Sequence, residues 1–421
     1  MPKDSATHPL FGRTLYIPRM STGAARCMAA AFCSVGVDAR VSPPSDDETM
    51  RLAARFTTGE ECLPQRVVLG NFLKIALNDG FDPKKNAFLL PTSSGPCRFG
   101  QYATFIRKVL DEIGCQKALV FSPTSSDGYA GFSGGATQFL RTAWIAIVAS
   151  DALRKLLLMH RPYASNPDDA DSIHKAALDH VCSILAQGVC PVRRKSRAVA
   201  GALEQARDLY NTLSLKEEPG SRPLIGVVGE IYLRFNSFSN QDILRRIEAA
   251  GGETWIASIA EWVWYTNAEE IRKLKEAGRQ WSADMLKTLL RHKVQHHDEN
   301  MILAPLSETF RHRFDASVSE VLRLSQSYLP QRMALGEMTL NAGNALAFER
   351  RGCDGIVDIS PFTCMNAIVT EAVYPVISAD AGRFPIRIFY FDGVPFDLDC
   401  DLEIFIEQVK SHQKRRSDKD D

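Results

Sequence analysis

The chain has 421 residues, too many for one simple core, so two or three domains are expected. Lys plus Arg and Asp plus Glu number 50 each, which leaves no bulk field to attract nucleic acid or anionic lipid, and neither is expected as a partner. No membrane span is expected either: the greasiest stretch, 139–159, is interrupted by Arg141, Asp151 and Arg154, and MPKDSATHPLFG at the start lacks a signal peptide's apolar core.

Taken in order, 13–18 reads as a strand, 22–36 as a helix and 37–41 as a second strand, a β-α-β opening that implies a parallel sheet. Helices are expected over 46–55 and 62–78, strands over 87–90 and 118–121, and a helix over 99–113 between those strands. The first α/β domain is expected to span 1–133. A helical segment then runs to the linker EEPGSRP, so that 134–220 stands between two α/β domains. The second, 221–410, shows strands at 224–228, 253–256, 355–359 and 387–391. Its helices are expected over 240–250, 267–292, 317–328, 341–351 and 365–373. The last eleven residues, 411–421, read as a frayed polar tail. The fold class is therefore α/β, with two parallel-sheet domains, and no internal repeat stands out beyond the loose similarity of the two halves.

Ten cysteines without an export signal point to thiolate chemistry in a reducing cytoplasm rather than to a disulfide framework. One lies in PTSSGPCRFGQY, where Cys97 sits between a short apolar strand and a helix. Unpaired backbone N–H groups and the helix dipole stabilise a thiolate at such a junction. Cys62 in TGEECLP and Cys364 in ISPFTCMN also stand near a proline at the start of an expected helix. Three loop cysteines from distant parts of the chain suggest a shared metal site; a structural zinc is the alternative to a cluster and needs a fourth protein ligand.

Cys27 and Cys33 read as small core residues, Cys182 and Cys190 lie in a helical stretch, Cys115 and Cys400 border expected elements, and Cys353 is a reserve ligand. His292, His296 and His297 read as a solvated helix end. Gly131, Gly134 and Gly135 could cradle a phosphate, with a tight turn as the plainer reading. Glu230, directly after a strand, and Ser125, Ser126 and Asp127, after another, are candidate cleft residues.

The segments GEECLPQ, GNFLK, PTSSGPCRFGQY, SSDGYAGFSGGATQFLRTAWIAIVASD, GVVGEIYLRFNSFSNQDIL and DISPFTCMNAIV, in this order, resemble the 2-hydroxyacyl-CoA dehydratase family and its activase-associated relatives, also labelled CoA-protein activases. The resemblance implies two flavodoxin-like domains and an iron–sulfur cluster. The cluster is expected to be [4Fe-4S], with a double cubane as the larger form, held by Cys62, Cys97 and Cys364 between the domains. It further implies low-potential electrons from a separate ATP-dependent iron–sulfur activator, used for a reduction or a dehydration. A CoA thioester or other small molecule is the implied substrate, and a homodimer the family-based expectation. The chain carries no G-x-x-x-x-G-K-[ST] loop, so a partner must supply ATP hydrolysis. That departure keeps a second expectation open, a non-catalytic scaffold or accessory subunit that binds the activator or another subunit.

Overall fold

The computed structural model describes residues 8–92, 95, 97–123, 136–188, 190–330 and 332–420, with 416–420 described by backbone alone. They divide into two compact units, Met1–Ser150 with Leu178–Val199, and Asp151–Ala177 with Ala200–Asp421. The helical stretch after residue 134 is thus shared out between the units.

In the first unit β1 (Thr14–Ile17) leads into α1 (Thr22–Cys33), whose first turn is capped by Ser21 Oγ accepting from Ala24 N. After β2 (Asp38–Val41) come α2 (Asp47–Ala53), started by an Asp46–Thr49 capping box, and α3 (Leu63–Ala76). Then follow β3 (Asn86–Leu89), a 3₁₀ turn at Arg98–Gln101 running into α4 (Tyr102–Glu112), and β4 (Leu119–Phe121). The strands are all parallel, in the order β2-β1-β3-β4. Phe88 of β3 is fully buried against Phe72 of α3, with ring centroids 4.5 Å apart. Helices α5 (Ala136–His160), α6 (Pro167–Ala186) and α7 (Val192–Tyr210) come next.

The second unit repeats the plan. Its strands are β5 (Leu224–Gly229), β6 (Glu253–Ile256), β7 (Gly355–Pro361) and β8 (Ile386–Phe391), all parallel, in the order β6-β5-β7-β8. Helices α8 (Ile231–Phe235) and α9 (Ile243–Ala249) join β5 to β6. Four more, α10 (Ile259–Glu276), α11 (Ala283–Leu303), α12 (Val318–Ser325) and α13 (Glu337–Arg350), join β6 to β7. Next come α14 (Met365–Asp380), between β7 and β8, and α15 (Leu398–Asp420). Two four-stranded parallel sheets make this an α/β fold with two parallel-sheet domains, as the β-α-β rhythm suggests.

Several elements differ from the expectations. The single helix expected over 267–292 is two, because Gly278 adopts φ +69° and Ser282 caps a fresh start by accepting from Met285 N. The helix expected to stop at 373 runs to Asp380 through Pro375: the lost backbone bond is outweighed by Tyr374 and Ile377, which anchor the helix in the core on either side. The polar end is not frayed backbone but the last turns of α15. That helix is fixed by Leu398, Leu402, Phe405, Ile406 and Val409, buried at helical spacing.

The two halves agree in more than strand order. In each, the helix before the third strand carries Gly-Asn at a crossing with the preceding helix: Gly70-Asn71 in α3, Gly343-Asn344 in α13. A Cβ on Gly70 would stand 2.0 Å from Thr49 O of α2, and one on Gly343 would stand 2.1 Å from Val321 O of α12. Both crossings are backbone against backbone, so the added methyl has no flexible neighbour to displace. Gly70→Ala and Gly343→Ala are each expected to cost at least about 2 kcal/mol. Gly201→Ala, in α7 with open space around it, should be neutral or gain about 0.5–1 kcal/mol. Urea denaturation of the three variants checks this; equal effects would rule out the crossings as the constraint.

Candidate functional site

In a parallel sheet ordered 2-1-3-4, the loops after the first and third strands leave in opposite directions and open a crevice at the strands' carboxyl ends. In the first unit the loop after β3 carries Cys97. In the second unit the loop after β7 carries Cys364, the topological counterpart, and β5 ends at Glu230 across the same switch point.

The structure places each expected cluster cysteine at a helix N-cap: Cys62 before α3, Cys97 before the 3₁₀ turn at Arg98, and Cys364 before α14. Cys62 is buried and Cys97 exposed. Their two loops are tied together, since Arg98 Nη1 donates to Glu60 O at 2.9 Å. The Cys62 loop is also pinned from within. Glu61 accepts from Thr58 N and Gly59 N, both at 3.0 Å, and these bonds outweigh burial to hold its carboxyl below the usual range. At Cys97 the sulfur accepts from Phe99 N at 3.5 Å. Sulfur at a helix start, facing backbone N–H groups, is the donor chemistry that a cluster thiolate needs. Cys97 shows that setting, and Cys62 and Cys364 share the N-cap position without a side-chain cap bond.

Cys364 belongs to the second unit and is partly buried. Thr363 before it has φ +64°, an outlier for a β-branched residue that stores on the order of 1–3 kcal/mol. Around the cysteine in sequence, Phe362, Met365 and Ile368 expose 61%, 40% and 55% of their surfaces, an apolar rim on a loop that water would otherwise favour filling with polar residues. Within neither unit do the described residues include a group of three or more His, Cys, Asp or Glu side chains able to hold a metal ion.

Beside Cys364, the second unit gathers buried carboxyls that sequence reading largely missed. Glu337, the first residue of α13 and 5% exposed, accepts from Ile231 N at 2.7 Å and from Asn366 Nδ2 at 3.4 Å. Asn366 lies in the first turn of α14, two residues after Cys364. Glu230 caps α8 by accepting from Leu233 N at 2.9 Å. It reaches this position because Gly229, at φ +118°, lets β5 close on β7: Glu230 N donates to Ile359 O at 2.9 Å, and a Cβ on Gly229 would stand 2.1 Å from that oxygen. Deeper in, Asp358 accepts from Ser360 Oγ at 2.6 Å and Tyr374 Oη at 2.7 Å, and Asn341 bridges it to Gly229 N. Glu261 accepts from Asn344 Nδ2 at 2.6 Å.

Arg234, 2% exposed, is the cation that bears on all four carboxyls. One positive charge cannot balance four buried negative ones, so protons stay in the cluster. Burial, then the neighbouring Glu230 carboxyl, pushes Glu337 up to about 8, and burial pushes Glu261 up to about 7. Glu230 and Asp358 are raised by burial as well. Asn366 Oδ1 is buried without a partner among the described residues. With its amide turned over, that oxygen would accept the proton of a neutral Glu337.

No protein-family model and no curated protein matches the chain. Among the described residues no helix is long and apolar enough to cross a membrane.

The other candidates fall out as follows. Ser125, Ser126, Asp127, Gly131, Gly134 and Gly135 lie outside the described residues. Cys353 is fully buried in the second core, which pushes its thiol well above the ordinary value; it is a packing residue and not a ligand. His292 and His296 do not sit at a helix end: they lie inside α11, packed on Trp264 with ring centroids 4.8 and 4.1 Å away, and burial lowers both. The missed residues did leave a signal. Glu337, Asn341 and Asn344 recur at i, i+4 and i+7 through the otherwise apolar GEMTLNAGNALAF, a polar stripe on a helix buried all round.

A carboxyl that stays protonated when folded but ionises when unfolded favours unfolding as pH rises between its two pKa values. Wild-type stability should therefore fall from about pH 5 to about pH 8. Glu337→Gln should flatten that fall by on the order of a few kcal/mol. Denaturation midpoints across the range measure it; parallel curves for the two proteins would mean that Glu337 is ionised in the fold.

Proposed function

We propose that the chain is an iron–sulfur protein of the 2-hydroxyacyl-CoA dehydratase type, which receives low-potential electrons from an ATP-dependent activator for a reduction or dehydration. The observation that carries this reading is the common setting of three thiols. Cys62, Cys97 and Cys364 each begin a helix at the carboxyl edge of a parallel sheet, and Arg98 ties the first two loops together. When bound, an iron–sulfur cluster supplies one-electron chemistry at a potential set by its hydrogen bonds and its exposure to water.

The chain's own residues supply the rest. The helix starts favour negative sulfur. Glu337, pushed up to about 8 and bonded to Asn366 two residues after Cys364, holds a proton at neutral pH that can meet a developing oxyanion or leaving hydroxyl. A held proton is superfluous in a pure scaffold, which favours the enzyme reading. The exposed apolar rim around Cys364 favours the second reading, a subunit that docks an activator or partner there. Either reading belongs in a reducing compartment such as the cytoplasm.

Anaerobic iron and acid-labile sulfide analysis, with an absorption spectrum, tests the proposal on wild type and on single Cys→Ser variants at 62, 97 and 364. About four irons with matching sulfide, lost or halved in every variant, is the expected result for one cubane, and about eight for a double cluster. Absence of iron under loading conditions would sink it. Reoxidation of the reduced protein by a candidate acyl-CoA then separates enzyme from scaffold.

A further inference from the structure

Helices α1 and α6 meet closely within the first unit. Gly23 and Cys27, one turn apart on α1, face Leu178 and Cys182, one turn apart on α6: a Cβ on Gly23 would already stand 3.8 Å from Leu178 Cδ1. At this contact Cys27 Sγ and Cys182 Sγ are 3.8 Å apart. Arg26 and Asp179 form an ion pair beside them. Cys27 is buried and Cys182 is partly exposed, so the two sulfurs differ in what can reach them.

We propose that Cys27 and Cys182 are a reversible disulfide-forming pair, a modification site at which a hydroperoxide oxidises the chain and a dithiol restores it. Cys182 is the attacking sulfur. Its thiol is lowered first by the hydrogen bond from Cys27 and then by the charge of Arg26, and it is the sulfur open to solvent. The Cys182 thiolate attacks the peroxide, so that an S–O bond forms and the O–O bond breaks. The departing hydroxide takes a proton and leaves as water, or as an alcohol from an organic peroxide. Cys27 sulfur then attacks Cys182 sulfur: the S–S bond forms, the S–OH bond breaks, and the hydroxyl leaves with the Cys27 proton as a second water. Two thiols give up two electrons in all and the peroxide gains them. The product ties α1 to α6 across a separation of 155 residues. The pair includes none of Cys62, Cys97 and Cys364, and the inference does not depend on a cluster.

The test uses the full folded chain, pre-reduced, then treated with hydrogen peroxide and alkylated with N-ethylmaleimide after acid quenching and denaturation. Peptide mapping should find Cys27 and Cys182 joined, lighter by two hydrogens and shielded from alkylation, with both thiols recovered after dithiothreitol. Cys27→Ser should leave Cys182 as a sulfenic acid that a dimedone probe captures. Cys182→Ser, a change at a partly exposed site, should leave Cys27 fully alkylated and so keeps the test decisive should the buried variant misfold. Full alkylation of both residues in peroxide-treated wild type would overturn the proposal, and so would pairing of either with another cysteine.

Discussion

Two helix crossings with nothing between them but backbone set where the candidate site begins. Gly70 lets α3 lie on the Thr49 carbonyl and Gly343 lets α13 lie on the Val321 carbonyl. A helix clamped at its middle has its first turn fixed in place, and it is the first turn of each that matters. One begins after Cys62 and the other begins with Glu337. The same device in both halves, at the helix preceding the third strand, gives the chain two carboxyl edges of one design. They carry different chemistry: two thiols in the first unit, a thiol and a protonated carboxyl in the second. The two units thus share a strand order and a Gly-Asn crossing.

The second edge is costly to maintain, and the costs have one direction. Thr363 sits at positive φ, Gly229 is pressed against Ile359, Asn366 Oδ1 is left without a partner among the described residues, and four carboxyls share Arg234. Of these, the strain at 363 is one that a single substitution, Thr363→Gly, would relax. Strain at one position is often incidental, but strain, an unsatisfied polar atom and uncompensated charge gathered within one crevice point to chemistry. That argument holds without regard to which group the cysteines bind.

Strands were legible in the sequence because short apolar runs bounded by turn residues have few alternatives; LIGVVG and GIVDISP read as strands at sight. The helix starts around Cys62, Cys97 and Cys364 were legible for a similar local reason, a proline or turn residue next to the cap. What could not be read depended on distant partners. The continuation of α14 through Pro375 rests on Tyr374 and Ile377 finding a core. The break at Gly278 looked like an ordinary helix glycine until its φ was known. Glu337 and Asp358 look like surface acids in a linear string, and their burial follows from α12, α13 and β7 coming together. His292 and His296 were misplaced at a helix end because the aromatic that covers them, Trp264, lies on another helix.

The ten cysteines show how little residue type settles and how much surroundings do. Cys353, enclosed by apolar side chains, has its thiol pushed well up, by burial first and then by the charges of Asp354 and Glu253. Cys182, with a second sulfur and a guanidinium at hand, is moved the other way. Cys62, Cys97 and Cys364 share a position, each at a helix start where backbone N–H groups point outward. A thiol stabilised by a neighbouring sulfur favours disulfide chemistry, because its partner is already in contact. A thiol at a helix start instead faces the positive end of the backbone dipole, which favours its negative form. The surroundings of the cysteines therefore differ in kind: a second sulfur and a guanidinium at Cys182, an apolar core at Cys353, a helix start at Cys62, Cys97 and Cys364.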